Sequence, residues 1–138
     1  MSNHLISRII RAPRESIYRA CSEPVELVRW RFPLDMTACL LGIDGATYRM
    51  SLAYPDGRSD TFTATFIECV PGEKIVECIR FDAPERAGDV TMTTTLRPAG
   101  DGTEVTVLTE NLPATIKLED NEEGTRQALT RLAGLLES

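Results

Sequence analysis

The stretch from Leu118 onward constrains this chain more than any other. Leu118, Glu122, Thr125, Leu129, Leu132 and Leu136 recur at alternating spacings of four and three, with Ala128, Ala133 and Leu135 beside them. That spacing predicts a helix of about five to six turns with one face turned to a core. Glu119, Asp120, Glu122 and Glu123 crowd its first turns, where negative charge suits the positive end of the helix dipole. The inward face is uneven. Its C-terminal half carries leucines that fill a core, whereas its N-terminal half offers Asn121, Gly124, Thr125 and Ala128, which do not. Laid along a sheet, such a helix packs tightly at one end and leaves a void at the other.

The rest of the chain supplies the sheet. Leu5 to Ala12 reads as a strand, although Leu5, Ile6, Ile9 and Ile10 do not alternate cleanly. Pro13 stands where a helix begins without losing a needed N–H, and Ile17, Ala20 and Cys21 give that helix a short apolar face. Ser22-Glu23-Pro24 interrupts it and starts a second short helix ending near Trp30, followed by a loop from Phe32 to Met36. From Thr37 to Leu112 the pattern is strands. Tyr48, Met50, Leu52 and Tyr54 alternate with Arg49, Ser51 and Ala53. Turns are marked by Tyr54-Pro55-Asp56-Gly57, Pro71-Gly72-Glu73-Lys74 and Pro98-Ala99-Gly100-Asp101-Gly102. Consecutive hairpins mean an antiparallel meander. The expected class is α+β, a curved sheet of six to seven strands around one long helix.

Composition narrows the function. The 138 residues suit one domain, 1–138. No apolar run approaches the ~20 residues of a membrane span, and Met-Ser-Asn-His lacks the basic and apolar regions of a signal peptide, so a cytoplasmic protein is expected. A net charge of -6 with scattered Lys and Arg argues against nucleic acid as partner. The four cysteines, Cys21, Cys39, Cys69 and Cys78, form no C-x-x-C pair, and with a single histidine no metal site is expected. Free thiols in a reducing cytosol are the reading.

A set of phrases along the chain carries a family resemblance. They are Ala12-Pro13, Glu23-Pro24 with Leu27 and Trp30, Pro33 with Met36-Thr37, and Tyr48-Arg49. They continue through Tyr54-Pro55-Asp56-Gly57, Phe66-Ile67-Glu68 with Val70-Pro71, Ile75-Val76-Glu77, and Glu119-Asp120-Asn121-Glu122 with Gly124. Together they resemble the helix-grip fold of the START-like, or SRPBCC, superfamily, in the branch related to the activator of the heat-shock-protein-90 ATPase. The resemblance implies either a ligand cavity under the long helix or a chaperone partner. It also marks departures: Gly45-Ala46 stands where relatives often have Gly-Gly, and Thr125 where they often have Trp. Losing that Trp enlarges the void or lets its neighbours collapse inward.

Candidate functional residues follow from the pocket. Trp30, Met36, Tyr48, Met50, Phe66, Met92, Asn121, Thr125 and Ala128 are its candidate lining, the alternative being plain core. Tyr48 and Tyr54 each carry a hydroxyl that would orient a ligand. With Val70 opposite Ile75, Glu68 falls opposite Glu77, and two such carboxylates on an apolar face form an acid–base pair; a register differing by one dissolves it. Arg49 is expected on the opposite, solvated face, and His4 exposed near the terminus. No Ser-His, Cys-His or phosphate-binding glycine pattern appears, so no catalytic residue and no cofactor is expected. The leading expectation is a small apolar ligand, ahead of a chaperone partner and of a polyketide cyclase or aromatase-like enzyme.

Overall fold

The computed structural model describes residues 2–33, 35–86 and 88–137. In chain order these form β1 (Ser2–Ile10), α1 (Arg14–Ser22), α2 (Pro24–Trp30), β2 (Thr37–Asp44), β3 (Thr47–Ala53) and β4 (Ser59–Val70). Then come β5 (Lys74–Phe81), a 3-10 turn at Pro84–Arg86, β6 (Asp89–Ala99), β7 (Gly102–Leu112) and α3 (Leu118–Leu136). The seven strands make one antiparallel sheet in the order β1-β7-β6-β5-β4-β3-β2. The meander is closed on one side by β1, which returns to pair with β7.

β1 starts earlier than the sequence pattern indicated, and the reason is His4. His4, Ile6 and Ile10 are buried, while Leu5 and Ile9 on the other face are more than half exposed. The strand therefore alternates once the histidine is counted as an inward residue. After it, Pro13 serves as the N-cap of α1, and Ile17, Ala20 and Cys21 are buried. Pro24 opens α2 at its first turn, where its missing N–H costs nothing. The indole N–H of Trp30 donates to the Ala20 carbonyl at 3.0 Å and fixes the bend between the two helices.

Two glycines are required by geometry. Gly57 holds φ at +92°, completing the turn between β3 and β4, with its N–H on the Tyr54 carbonyl. Gly102 opens β7 where the end of β1 crosses it; a Cβ there would collide with the Ile10 carbonyl oxygen. Beside it the Thr103 hydroxyl donates to the Ala12 carbonyl at 2.9 Å.

α3 lies across the sheet with its C-terminal half sealed. Ala128, Leu129, Leu132 and Ala133 are buried in one cluster with Ile6, Ile10, Ile17 and Val105, whereas Leu135 points outward. No helix among the described residues is long and apolar enough to cross a membrane.

The cysteines are unpaired and lie in different environments. Cys69 stands opposite Ile75 and Cys78 opposite Thr65, on separate rungs of the same hairpin. Cys39 and Cys69 are exposed, while burial pushes the Cys21 thiol up to about 12. A disulfide-exchange reagent should therefore label Cys39 and Cys69 promptly in the native protein and Cys21 only on unfolding. Fewer than four thiols in the denatured, unreduced chain would overturn this reading.

Candidate functional site

Beneath the N-terminal half of α3 the packing stops. There a cavity of about 590 Å³ opens between helix and sheet. Asp120, Asn121, Gly124 and Thr125 form its roof, and Leu52, Phe62, Ile79, Val90, Met92, Thr109 and Leu112 its floor. Its sides are Arg31, Phe32, Pro33 and Met36 after α2, and Ile116 and Lys117 before α3. The small helix residues explain the space. Thr125 is half-buried and turns its hydroxyl back to the Asn121 carbonyl at 2.9 Å, so it presents mainly a methyl.

Of the nine candidate lining residues, Met36, Met92, Asn121 and Thr125 face this space. The other five lie outside the wall. Met50 and Ala128 are buried in the core cluster, and Trp30 is held by its bond to Ala20. Phe66 packs against the ring of Tyr48 with centroids 5.6 Å apart. Tyr48 is itself buried, and its hydroxyl is spent on a carboxylate rather than presented to the cavity.

That carboxylate is Glu77, and it does not pair with Glu68. The turn closes one residue off the expected register, with Val70 opposite Lys74 rather than Ile75, so Glu68 stands opposite Val76. A β-bulge at Ile67 then sets Phe66 opposite Glu77. Glu68 is exposed and pairs with Lys74 at 3.1 Å. Glu77 is fully buried. Arg31 Nη2 donates to its Oε2 at 2.7 Å, and the Tyr48 hydroxyl to its Oε1 at 2.6 Å. Burial alone would lower the Arg31 pKa, but the charge of Glu77 beside it holds it above its ordinary value. Burial and the same carboxylate push the Tyr48 phenol up. The expected acid–base pair is thus replaced by a buried ion pair that braces the cavity wall.

A second braced carboxylate stands at the rim. Tyr54 lines the cavity and donates its hydroxyl to Asp60 Oδ2 at 2.5 Å. Arg86 Nε reaches the same oxygen at 3.2 Å, with its guanidinium carbon 5.8 Å from the Phe81 ring centre. Burial, then the bond to Asp60, pushes the Tyr54 phenol up to about 12. The Thr115 hydroxyl donates to the Glu85 carbonyl at 3.1 Å and ties the loop before α3 to the 3-10 turn. Arg49 lies on the outer face, bound to Asp82 at 2.8 Å.

His4 is the largest departure from expectation. It is buried rather than exposed, and its Nε2 lies 2.6 Å from Asn121 Oδ1. Sequence reasoning also missed Arg31 and Arg86 as partners of Glu77 and Asp60. The only available signal was weak: a buried glutamate on an inward strand position requires a cation from elsewhere.

A curved antiparallel sheet gripping a long C-terminal helix above an internal cavity defines a helix-grip domain of the START-like, SRPBCC class. The chain belongs to the family of Activator of Hsp90 ATPase homolog 1-like proteins, whose sequence model matches residues 11–137. A solved protein from Chromobacterium violaceum is 32% identical, with 99% of this chain and 97% of that chain covered and a TM-score of 0.91. A second, from Rhizobium loti, is 26% identical over 98% and 96% of the two chains, with a TM-score of 0.77. The AHSA1 protein of Silicibacter pomeroyi shares the fold at a TM-score of 0.80, with 13% identity over 97% of this chain and 96% of that one. Among curated proteins, none matches this chain.

Proposed function

We propose that this chain binds a small, largely apolar molecule in the cavity between α3 and the sheet. The observation that carries the reading is the 590 Å³ space itself, with an apolar wall of Phe32, Leu52, Phe62, Ile79 and Met92. Of its polar groups, Arg31, Arg86 and Tyr54 are already engaged by carboxylates of the chain. Ligand pockets are of roughly 300–1,000 Å³, mostly apolar, with a small number of placed polar groups. The carboxylates of Glu77 and Asp60 are each engaged by an arginine and a tyrosine, so neither is a free base at the wall. That favours binding over turnover. A cytoplasmic setting, where free thiols stay reduced, fits the cysteine pattern.

The test is to fill the cavity from its roof. Thr125→Trp should fold normally, since the wall around Thr125 is open, and its added apolar area should hold or raise the melting temperature. It should also abolish uptake of a neutral naphthalene dye that the parent takes up. Unfolding of the variant would mean that the inward face of α3 is misphased. Folding with undiminished dye uptake would place the binding elsewhere.

The family match supports a second reading, contact with an Hsp90-type chaperone. A stable complex between purified chaperone and this chain, unaffected by Thr125→Trp, would favour it.

A further inference from the structure

Among the polar groups of the cavity is one, Asn121, whose chemistry is set by a histidine outside the wall. His4 is 7% exposed and stands directly opposite Thr109, itself 2% exposed, across the β1–β7 pair. Directly opposed side chains share a face with Cβ atoms about 5 Å apart. Yet His4 Nδ1 and Thr109 Oγ1 are both buried without a hydrogen-bond partner among the described residues. A buried N–H with no acceptor is rarer than a bare acceptor, so the ring proton belongs on Nε2. There it has its acceptor, Asn121 Oδ1 at 2.6 Å.

This tautomer fixes the carboxamide of Asn121. Its oxygen is occupied by the imidazole, which leaves its amino group without a protein partner among the described residues. Asn121 lines the roof of the cavity. From this geometry we propose that Asn121, oriented by His4, donates a hydrogen bond to a neutral carbonyl oxygen of the bound molecule. The ligand class is an apolar ketone, aldehyde or ester. A carboxylate fits poorly. Of the cations at the wall, Arg31, Arg86 and Arg58 are each paired with a carboxylate of the chain, respectively Glu77, Asp60 and Asp56. Lys117 is exposed, and Asp120 stands next to Asn121 in the same roof. His4 is a positioning residue. This assignment rests on the cavity-binding reading above and adds the identity of the group recognised.

Three probes of one shape separate the alternatives on the unmodified chain: acetylnaphthalene, ethylnaphthalene and naphthoate. Titration calorimetry should rank acetylnaphthalene about three- to tenfold tighter than ethylnaphthalene, the range of one neutral hydrogen bond, with naphthoate weakest. The infrared carbonyl stretch of bound acetylnaphthalene should move to lower frequency. Asn121→Leu should remove both the preference and the shift while ethylnaphthalene still binds. His4→Ala should weaken both, and His4→Gln, which keeps an N–H donor, should restore part of each. Equal binding of ketone and hydrocarbon, with an unshifted stretch, would overturn the assignment and leave the cavity reading standing. Tighter binding of naphthoate would overturn the neutral class. Failure of all three probes to bind would overturn both readings together.

Discussion

Arg31→Met is expected to destabilise the fold by about 3–5 kcal/mol, the usual cost of stripping one partner from a buried ion pair. The argument turns on Glu77, which is 0% exposed and has Arg31 and the Tyr48 hydroxyl as its hydrogen-bond partners. The Arg31 side chain is itself only 8% exposed, so water screens the pair little. Without the guanidinium, a desolvated carboxylate keeps one phenol as its partner. Removing both charges is a different experiment. Arg31→Met with Glu77→Leu should recover much of the loss, because a buried ion pair is often no better than apolar packing of similar volume. Urea denaturation of the four proteins in this cycle measures the coupling directly. A midpoint unchanged in Arg31→Met would mean that the pair is solvated and that the braced wall is misdrawn.

Leu132→Ala should cost about 2–5 kcal/mol, a large share of the 5–15 kcal/mol that holds an ordinary domain together. Leu132 is 0% exposed at the centre of the cluster formed by Leu129, Ile6, Ile10 and Val105. Truncation removes burial and leaves a hole that a close-packed core relaxes only partly. The same truncation at Leu135, which is 43% exposed, should be nearly neutral. Equal losses at both positions would show that α3 is rotated about its axis.

These positions also show what a linear pattern discloses. The inward face of α3 was legible because periodicity is a local property, and so were the turns, since Pro55 and Gly57 carry their backbone angles with them. Even the void followed from residue size, because Asn121, Gly124 and Thr125 are too small to fill a layer. Three things were not legible. The register of the β4–β5 hairpin depends on the fit of two strands and their turn, and Val70 facing Lys74 rather than Ile75 carried Glu77 away from Glu68. The Arg31–Glu77 contact joins residues 46 apart, and nothing local to Trp30-Arg31-Phe32 announces it. His4 looked like a terminal polar residue because its partner, Asn121, lies 117 residues away. Aromatic residues misled in another way. Trp30, Tyr48 and Phe66 all turned inward as expected but were used up in packing before reaching the cavity.

The pairing of β1 with β7 has a consequence in time. Ser7 and Thr106, whose hydroxyls lie 2.9 Å apart, are separated by 99 positions. A ribosome adding roughly 5–20 residues per second needs ~5–20 s to bring β7 out after β1. Over that interval β2 to β6 can zip hairpin by hairpin, because each neighbour is next in order. The Ile6 and Ile10 side chains of β1 have no sheet to join meanwhile, and long-range pairing of this kind is slow and exposed to misassociation. His4 is positioned only when β1 docks on β7, so Asn121 gains its orienting partner no earlier than that pairing. A nascent chain halted before Gly102 should therefore hold hairpins and short helices but no binding competence, and should be the species that chaperones retain.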